Sequence, residues 1–335
     1  MTHTVVAFVP SEPLALALAA YFHSRSIKSY ELVMEGPIKI SKVGQNAIEQ
    51  LGGTIFRGTA GKIRLEGINQ LYLHTYAWSF DKLIPLLERA KAQGVQVIAY
   101  ADGLKAEYSV DFLRNSGVEK IVFFGWIFDK GGLEDISLDA VCLKDIVNMY
   151  ALFKPTGDII PHVEEANTAV VYLRYWGKGV YEVQPHLSPA EALFRSMDLS
   201  GGSNFDKVYV KSDPRILPNV EQEFVELCRS HLSSDVRPFS DFVGNKSLAN
   251  DMPLEFLQYH PAQHLIFCFD STVSIYLAAL GEKRVSFPLE NAIKEIFVQK
   301  DGYQAVKSYS KLYSEVCEHI WKHGPSEIPR IGAHP

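Results

Sequence analysis

The chain lacks most of the short signatures that announce a function by themselves. No Gly-x-Gly-x-x-Gly follows the first apolar run, which disfavours a dehydrogenase fingerprint, and no Gly-x4-Gly-Lys-Ser/Thr exists, which excludes a P-loop. No Asp-x-Asp pair stands at a strand end where it would hold a metal for a nucleotide sugar. Cysteine is scarce: Cys142, Cys228, Cys268 and Cys317 are scattered without a Cys-x-x-Cys spacing. Buried free thiols in a reducing compartment are expected rather than a zinc site or a disulfide framework. Long apolar runs are missing too. The most apolar stretch, Leu14–Phe22, is too short to cross a bilayer, and the N-terminus enters an apolar run without a basic leader. A cytoplasmic protein without a transmembrane segment is the expectation. Basic excess is absent: 33 Lys and Arg against 39 Asp and Glu leave a net charge of −6, so no general nucleic-acid surface is expected. A local cationic pocket is still compatible with that balance.

What the chain does have is length and alternation. Its 335 residues, 47% hydrophobic, suffice for two domains or one large one. Thr4–Val9 reads as a strand buried on both faces, followed by Ser11-Glu12-Pro13 opening a helix, with proline suited to the first turn. Strands are then expected at Tyr30–Val33, Gln70–Leu73, Val95–Tyr100 and Lys120–Phe124, with helices near Ser41–Leu51, Ser79–Gln93 and Ser109–Ser116. Pro155-Thr156-Gly157-Asp158 and the polar run to Thr168 read as a linker. The rhythm restarts with strands at Ala169–Leu173, Val208, Val236 and Arg284–Phe287. Helices are expected at Pro189–Ser196, around Asn219–His231, after Ser271 and from Tyr303 to Trp321. Such alternation predicts mostly parallel sheets with helices on both faces, an α/β fold.

Three turns stand where chemistry could sit. In Val208–Arg215, VYVKSDPR, an apolar strand stops at a turn flanked by Lys211 and Arg215, with Asp213-Pro214 between them. In Phe267–Gly281, FCFDSTVSIYLAALG, a strand stops at Ser271-Thr272 and a helical pattern follows, closed by Gly281. A hydroxyl pair at a helix start serves either as an ordinary N-cap or as an anion seat, where free N–H groups and the dipole favour negative charge. Upstream, Asp102 follows Val95–Tyr100 and precedes Gly103, which allows a tight backbone turn; it is either a turn aspartate or a carboxylate presented from the sheet.

These turns resemble, in order and separation, the three motifs of bacterial GT-B sialyltransferases. Within that superfamily the chain is most similar to the lipooligosaccharide sialyltransferases and polysialyltransferases. Their acidic-acidic-Gly motif matches Ala101-Asp102-Gly103, with Ala101 in place of the first acid. Their Lys-x-His-Pro-Arg-like turn matches Lys211–Arg215, with Asp213 in place of histidine, and their Ser-Ser/Thr pair matches Ser271-Thr272. The opening VVAFVPSEPLALALAAYF is also similar to that group's first strand, turn and helix.

The resemblance implies two Rossmann-like domains with parallel sheets facing across a cleft. Residues 1–157 would form the acceptor-side domain with the general base, residues 158–310 the donor domain, and residues 303–335 a closing helix and tail returning towards the first domain. It implies inverting, metal-independent transfer of sialic acid from CMP-sialic acid to a glycan hydroxyl. Asp102 would take the acceptor's proton. Lys211, Pro214, Arg215, Ser271 and Thr272 would seat the donor phosphate, and Glu255 would accept from ribose hydroxyls, unless it is a helix-surface residue. Asp213 is repulsive to a phosphate if ionised. It turns away while Lys211 and Arg215 hold the anion, or is protonated and donates, or marks an inactive site; the first is expected. Arg174 would reach the donor side, and His74 would line the acceptor side or be a strand-end histidine with its own partners. No cofactor beyond the donor substrate is implied. The partners would be a CMP-sugar and a glycan, lipid-linked if transfer occurs at the inner membrane face. A homodimer is compatible with this reading. The alternatives are a transferase of another CMP-activated nonulosonic or acidic sugar, another GT-B enzyme such as a nucleotide-sugar epimerase, and an inactive nucleotide-sugar-binding protein.

Overall fold

A computed structural model of the chain describes residues 4–34, 40–75, 80–101, 110–129, 131–152, 167–174, 182–197, 199, 205–213, 216–243, 262–267, 272–279, 281 and 285–332. The chain falls into two compact units, Met1–Phe153 with Pro325–Pro335, and Lys154–Gly324.

The first unit alternates β1 (Val5–Val9), α1 (Glu12–Ser24), β2 (Tyr30–Met34), α2 (Lys42–Gln50), β3 (Gly53–Arg57) and β4 (Gln70–His74). It continues through α3 (Phe80–Ala92), β5 (Gln96–Ala101), α4 (Val110–Asn115), β6 (Val118–Phe124), β7 (Ile127–Asp129), β8 (Ser137–Val141) and α5 (Leu143–Leu152). Seven strands form one parallel sheet in the order β3-β2-β1-β4-β5-β6-β8. The order is doubly wound, because successive strands run outward from β1 in one direction and then, from β4, in the other. The interior strands are apolar because helices cover both faces; β1 is buried at every position. Helix α1 shows the same logic in another geometry. No residue from Leu14 to Phe22 exceeds 4% exposure, so the helix is apolar all round, packed between α2, α5 and the sheet. Its aromatic end joins Phe22 to Tyr30 and Tyr72 at ring-centroid distances of 4.8 and 5.0 Å.

The second unit holds β9 (Thr168–Leu173), α6 (Pro189–Ser196), β10 (Lys207–Ser212), α7 (Pro218–His231), β11 (Asp235–Pro238) and α8 (Phe239–Val243). Then come β12 (Ala262–Phe267), α9 (Thr272–Ala279), β13 (Val285–Ser286), α10 (Glu290–Ile296) and α11 (Lys300–His323). Its sheet is parallel in the order β11-β10-β9-β12-β13, the same outward-then-back pattern on five strands. Ala169, Val171 and Leu173 of β9 and Val208 and Val210 of β10 pack with α6, α7 and α10 in one core. Gly281 closes α9 with φ +91°, a left-handed stop that a side chain would resist. The last helix belongs to this unit. Only the tail after Gly324 joins the first, where β14 (Arg330–Gly332) pairs with β7 in parallel and Lys144 N–H donates to Pro325 O at 3.1 Å.

The α/β expectation therefore holds as two parallel sheets, the first flanked by helices. The sequence reading missed β3, β7, β8, β14, α5, α8 and α10. Strands β3 and β8 are the two edges of the first sheet and carry exposed positions, so neither shows the continuous apolar run that marks the interior strands. The expected strand at Arg284–Phe287 is reduced to Val285–Ser286, and the expected linker lies outside the described residues as far as position 166, its last residue, Thr168, opening β9. Cys142, Cys228 and Cys317 are free thiols; Cys142 is only half-buried, and burial pushes the thiols of Cys228 and Cys317 up to about 12. Among the described residues no helix is long and apolar enough to cross a membrane.

Candidate functional site

The turn after β10 is built by the ladder itself. Asp213 N–H donates to Leu173 O at 2.8 Å, so Asp213 continues the pairing with β9 one residue past the strand end. Ile216 N–H donates to Asp213 O at 2.9 Å. Side chains alternate along β10, so with Val208 and Val210 in the core under α6 and α7, Tyr209, Lys211 and Asp213 take the opposite face. Tyr172, in register with Lys211, shares that face. Right-handed crossovers place α9 there as well, because the chain winds the other way after β12.

The residues on this face are buried and held. Lys211 is 5% exposed, with its ammonium 5.4 Å from the centre of the Phe239 ring. Asp213 is 6% exposed, and its carboxylate accepts from the Tyr172 hydroxyl at 3.4 Å. On the other face of β10, that of Val208 and Val210, the Ser212 hydroxyl is buried and has no hydrogen-bond partner among the described residues. An unanswered polar atom at a strand end is rare enough to be notable. Arg174 follows β9 directly and is half-buried. Strand β9 separates β10 from β12, so the ends of those two strands lie about 10 Å apart, twice the spacing of neighbouring strands. The end of β10 up to Asp213, Arg174 and the start of α9 are thus brought to one edge of one sheet, where open α/β sheets bind ligands.

In the first unit, His74 ends β4 rather than following it. It is 7% exposed, and its ring stands edge-on to Tyr100 with centroids 5.1 Å apart. Tyr100 donates through its hydroxyl to Phe8 O at 2.5 Å, tying β5 to β1 across β4. His74 therefore sits at the carboxyl edge, where the strand order reverses, packed as a strand-end histidine. At the start of α1, the buried Glu12 carboxylate accepts from Ser41 N–H at 2.9 Å and from the Ser41 hydroxyl. Ser41 Oγ in turn accepts from Gly44 N–H at 3.0 Å and so caps α2.

Of the expected site residues, Lys211, Asp213 and Arg174 are brought together at one edge, with Thr272 as the first residue of α9. Asp102, Gly103, Pro214, Arg215, Glu255 and Ser271, and the Thr272 side chain, lie outside the described residues. Sequence reasoning missed Tyr172, Ser212 and Phe239. A tyrosine as the next-to-last residue of an otherwise apolar strand was a legible signal for the first. Phe239, a neighbour of Lys211 from beyond β11, left none.

No protein-family model matches the chain. No curated protein matches it either. Among solved structures, one described as GsuK Channel is similar at 12% identity, covering 95% of this chain and 70% of that chain, with a TM-score of 0.30. A likeness at that level bears on neither fold nor function.

Proposed function

We propose that the chain is a GT-B glycosyltransferase that moves sialic acid from CMP-sialic acid to a glycan hydroxyl. The observation that carries this reading is the carboxyl edge of the second sheet. There a buried lysine, an arginine and a helix start meet at the strand reversal between β9 and β12, as a nucleotide phosphate requires. The doubly wound order of the first unit supports the same fold assignment. In this reading the acceptor oxygen attacks the anomeric carbon and gives its proton to Asp102. The bond from that carbon to the phosphate oxygen breaks, and CMP leaves with the electron pair. The positive ends around the phosphate answer the charge that develops on it. The protein would work in the cytoplasm, at the inner membrane face if its glycan is lipid-linked.

The test combines ligand and variant. CMP should raise the unfolding temperature more than UDP or GDP does, because a ligand stabilises the fold that binds it. Asp102→Asn should lower turnover by orders of magnitude and spare CMP affinity, whereas replacing Ser271 and Thr272 by Ala should weaken CMP binding. Unchanged turnover in Asp102→Asn removes the base. A second reading, a nucleotide-sugar-binding protein without activity, draws on Asp213, whose carboxylate is engaged by Tyr172 where the resembling enzymes have a histidine. Binding of CMP-sialic acid without turnover on any acceptor would favour it.

A further inference from the structure

We propose that His319 and His323 form a two-histidine chelate for a divalent transition-metal ion, Cu²⁺ or Ni²⁺ in preference to Zn²⁺. The chelate does not depend on the nucleotide seat and takes no part in its chemistry. Both residues lie at the end of α11, four positions apart and therefore on one helix face. Their rings are neighbours, with centroids 4.6 Å apart and planes inclined at 34°. Two histidines at that spacing on one helix are the arrangement that holds zinc in His-Glu-x-x-His enzymes. His319 is half-buried with its Nε2 atom covered, so packing limits its ring. His323 is exposed and can turn about χ2 to meet an ion from solvent.

The ring separation selects among metals. An ion bonded to one nitrogen of each ring, at about 2.0–2.1 Å, stands about 3.2 Å from each ring centre. Rings 4.6 Å apart then subtend about 90° at the ion. That angle suits the tetragonal coordination of Cu²⁺ and Ni²⁺. A tetrahedral zinc site opens it to about 109°, which needs ring centres about 5.2 Å apart. The helix C-terminus favours a cation, because its last carbonyls and the negative end of the dipole lie there. Exposed Lys322 works against it. The Cys317 thiol does not join the site: it is fully buried and donates to Ser274 O at 3.6 Å. Glu315, one turn before His319, is paired with Lys311 at 3.7 Å. Among the described residues no group of three potential ligands forms, so water completes the shell. Bridging His319 to His323 closes the turn just before Gly324, whose φ is +86° and whose N–H donates to Ile320 O at 2.7 Å. There the chain leaves the second unit for the first, and a bound ion pins the end of α11 against fraying.

The experiment is a calorimetric titration of the untagged full chain with Cu²⁺, Ni²⁺, Zn²⁺ and Mg²⁺, one ion at a time in a buffer that does not bind metals. Amide hydrogen exchange with and without Ni²⁺ follows. A single equivalent of Cu²⁺ should bind tightest, Ni²⁺ next and Zn²⁺ more weakly, with no binding of Mg²⁺. His323→Ala removes an exposed ring and leaves the core untouched. It and His319→Ala should each weaken Ni²⁺ binding about tenfold or more, because a second ligand on the same turn acts at high effective concentration. His231→Ala, at the end of α7, should leave that affinity unchanged. Ni²⁺ should slow exchange of the Gly324 N–H in the wild type and not in His323→Ala. Ni²⁺ affinity that survives His323→Ala overturns the proposal. Zn²⁺ bound more tightly than Ni²⁺, or no binding of any of the three transition ions, overturns it too.

Discussion

Gly44→Ala should destabilise the protein, although alanine is the better helix former. Gly44 lies in the first turn of α2, and a Cβ built there would stand 2.2 Å from Glu12 Oε1 and 3.3 Å from Ser41 Oγ. The carboxylate must move by more than 1 Å to make room, and it is the acceptor for both Ser41 donors. A bond to a charged acceptor contributes about 1.5–3 kcal/mol, so losing two costs about 4 kcal/mol. Helix propensity returns about 1 kcal/mol. The net loss is about 3 kcal/mol, or about 6–12 °C in unfolding temperature for a unit of this size. The decisive measurement is a double-mutant cycle by calorimetry. In a Glu12→Ala background the obstacle is gone, and the same Gly44→Ala change should stabilise by about 0.5–1 kcal/mol. A neutral or stabilising effect in the wild-type background, or no reversal of sign between the two, refutes the reasoning.

Tyr30→Phe should be stabilising by about 1 kcal/mol, read as a higher urea midpoint, because the Tyr30 hydroxyl is fully buried without a partner among the described residues. A midpoint lower by as much would mean that the hydroxyl is bonded after all, as to an ordered water. Asp139 gives a pH dependence. Burial works against its charge, but the Lys120 hydrogen bond and the Lys120 and Arg25 cations prevail and hold the carboxyl below its ordinary value. A depressed pKa contributes stability that is present above the ordinary carboxylate range and lost as pH falls through the folded-state value. Asp139→Asn should thus be less stable than the wild type by about 1 kcal/mol at pH 7, with the gap closing as pH falls below the ordinary carboxylate range. A gap that stays constant across urea titrations at several pH values would count against this account.

How much was legible can be argued from particular elements. β1, α1, β9 and α7 declare themselves because burial on both faces, helical period and proline at the first turn are local properties of the chain. The edge strands β3 and β8 do not. Their pairing is supplied by neighbours, and their exposed positions dilute the apolar pattern. Of the site, the sequence marked Lys211 and Asp213 as a polar turn after a strand, but not that both are buried.

By itself, then, the sequence determined the alternation of strands and helices, the parallel pairing it requires, and which turns carry polar groups. Only the tertiary structure decided the strand order that puts β9 between the β10 and β12 ends, and the register that sets Tyr172 beside Lys211. The same holds for the 29-residue separation bridged by Glu12 and Ser41, and for the pairing of β14 with β7. The physical reason is range. Periodicity and turn chemistry act over a few residues, whereas register, strand order and the burial of a charge depend on which distant segments arrive at the same place.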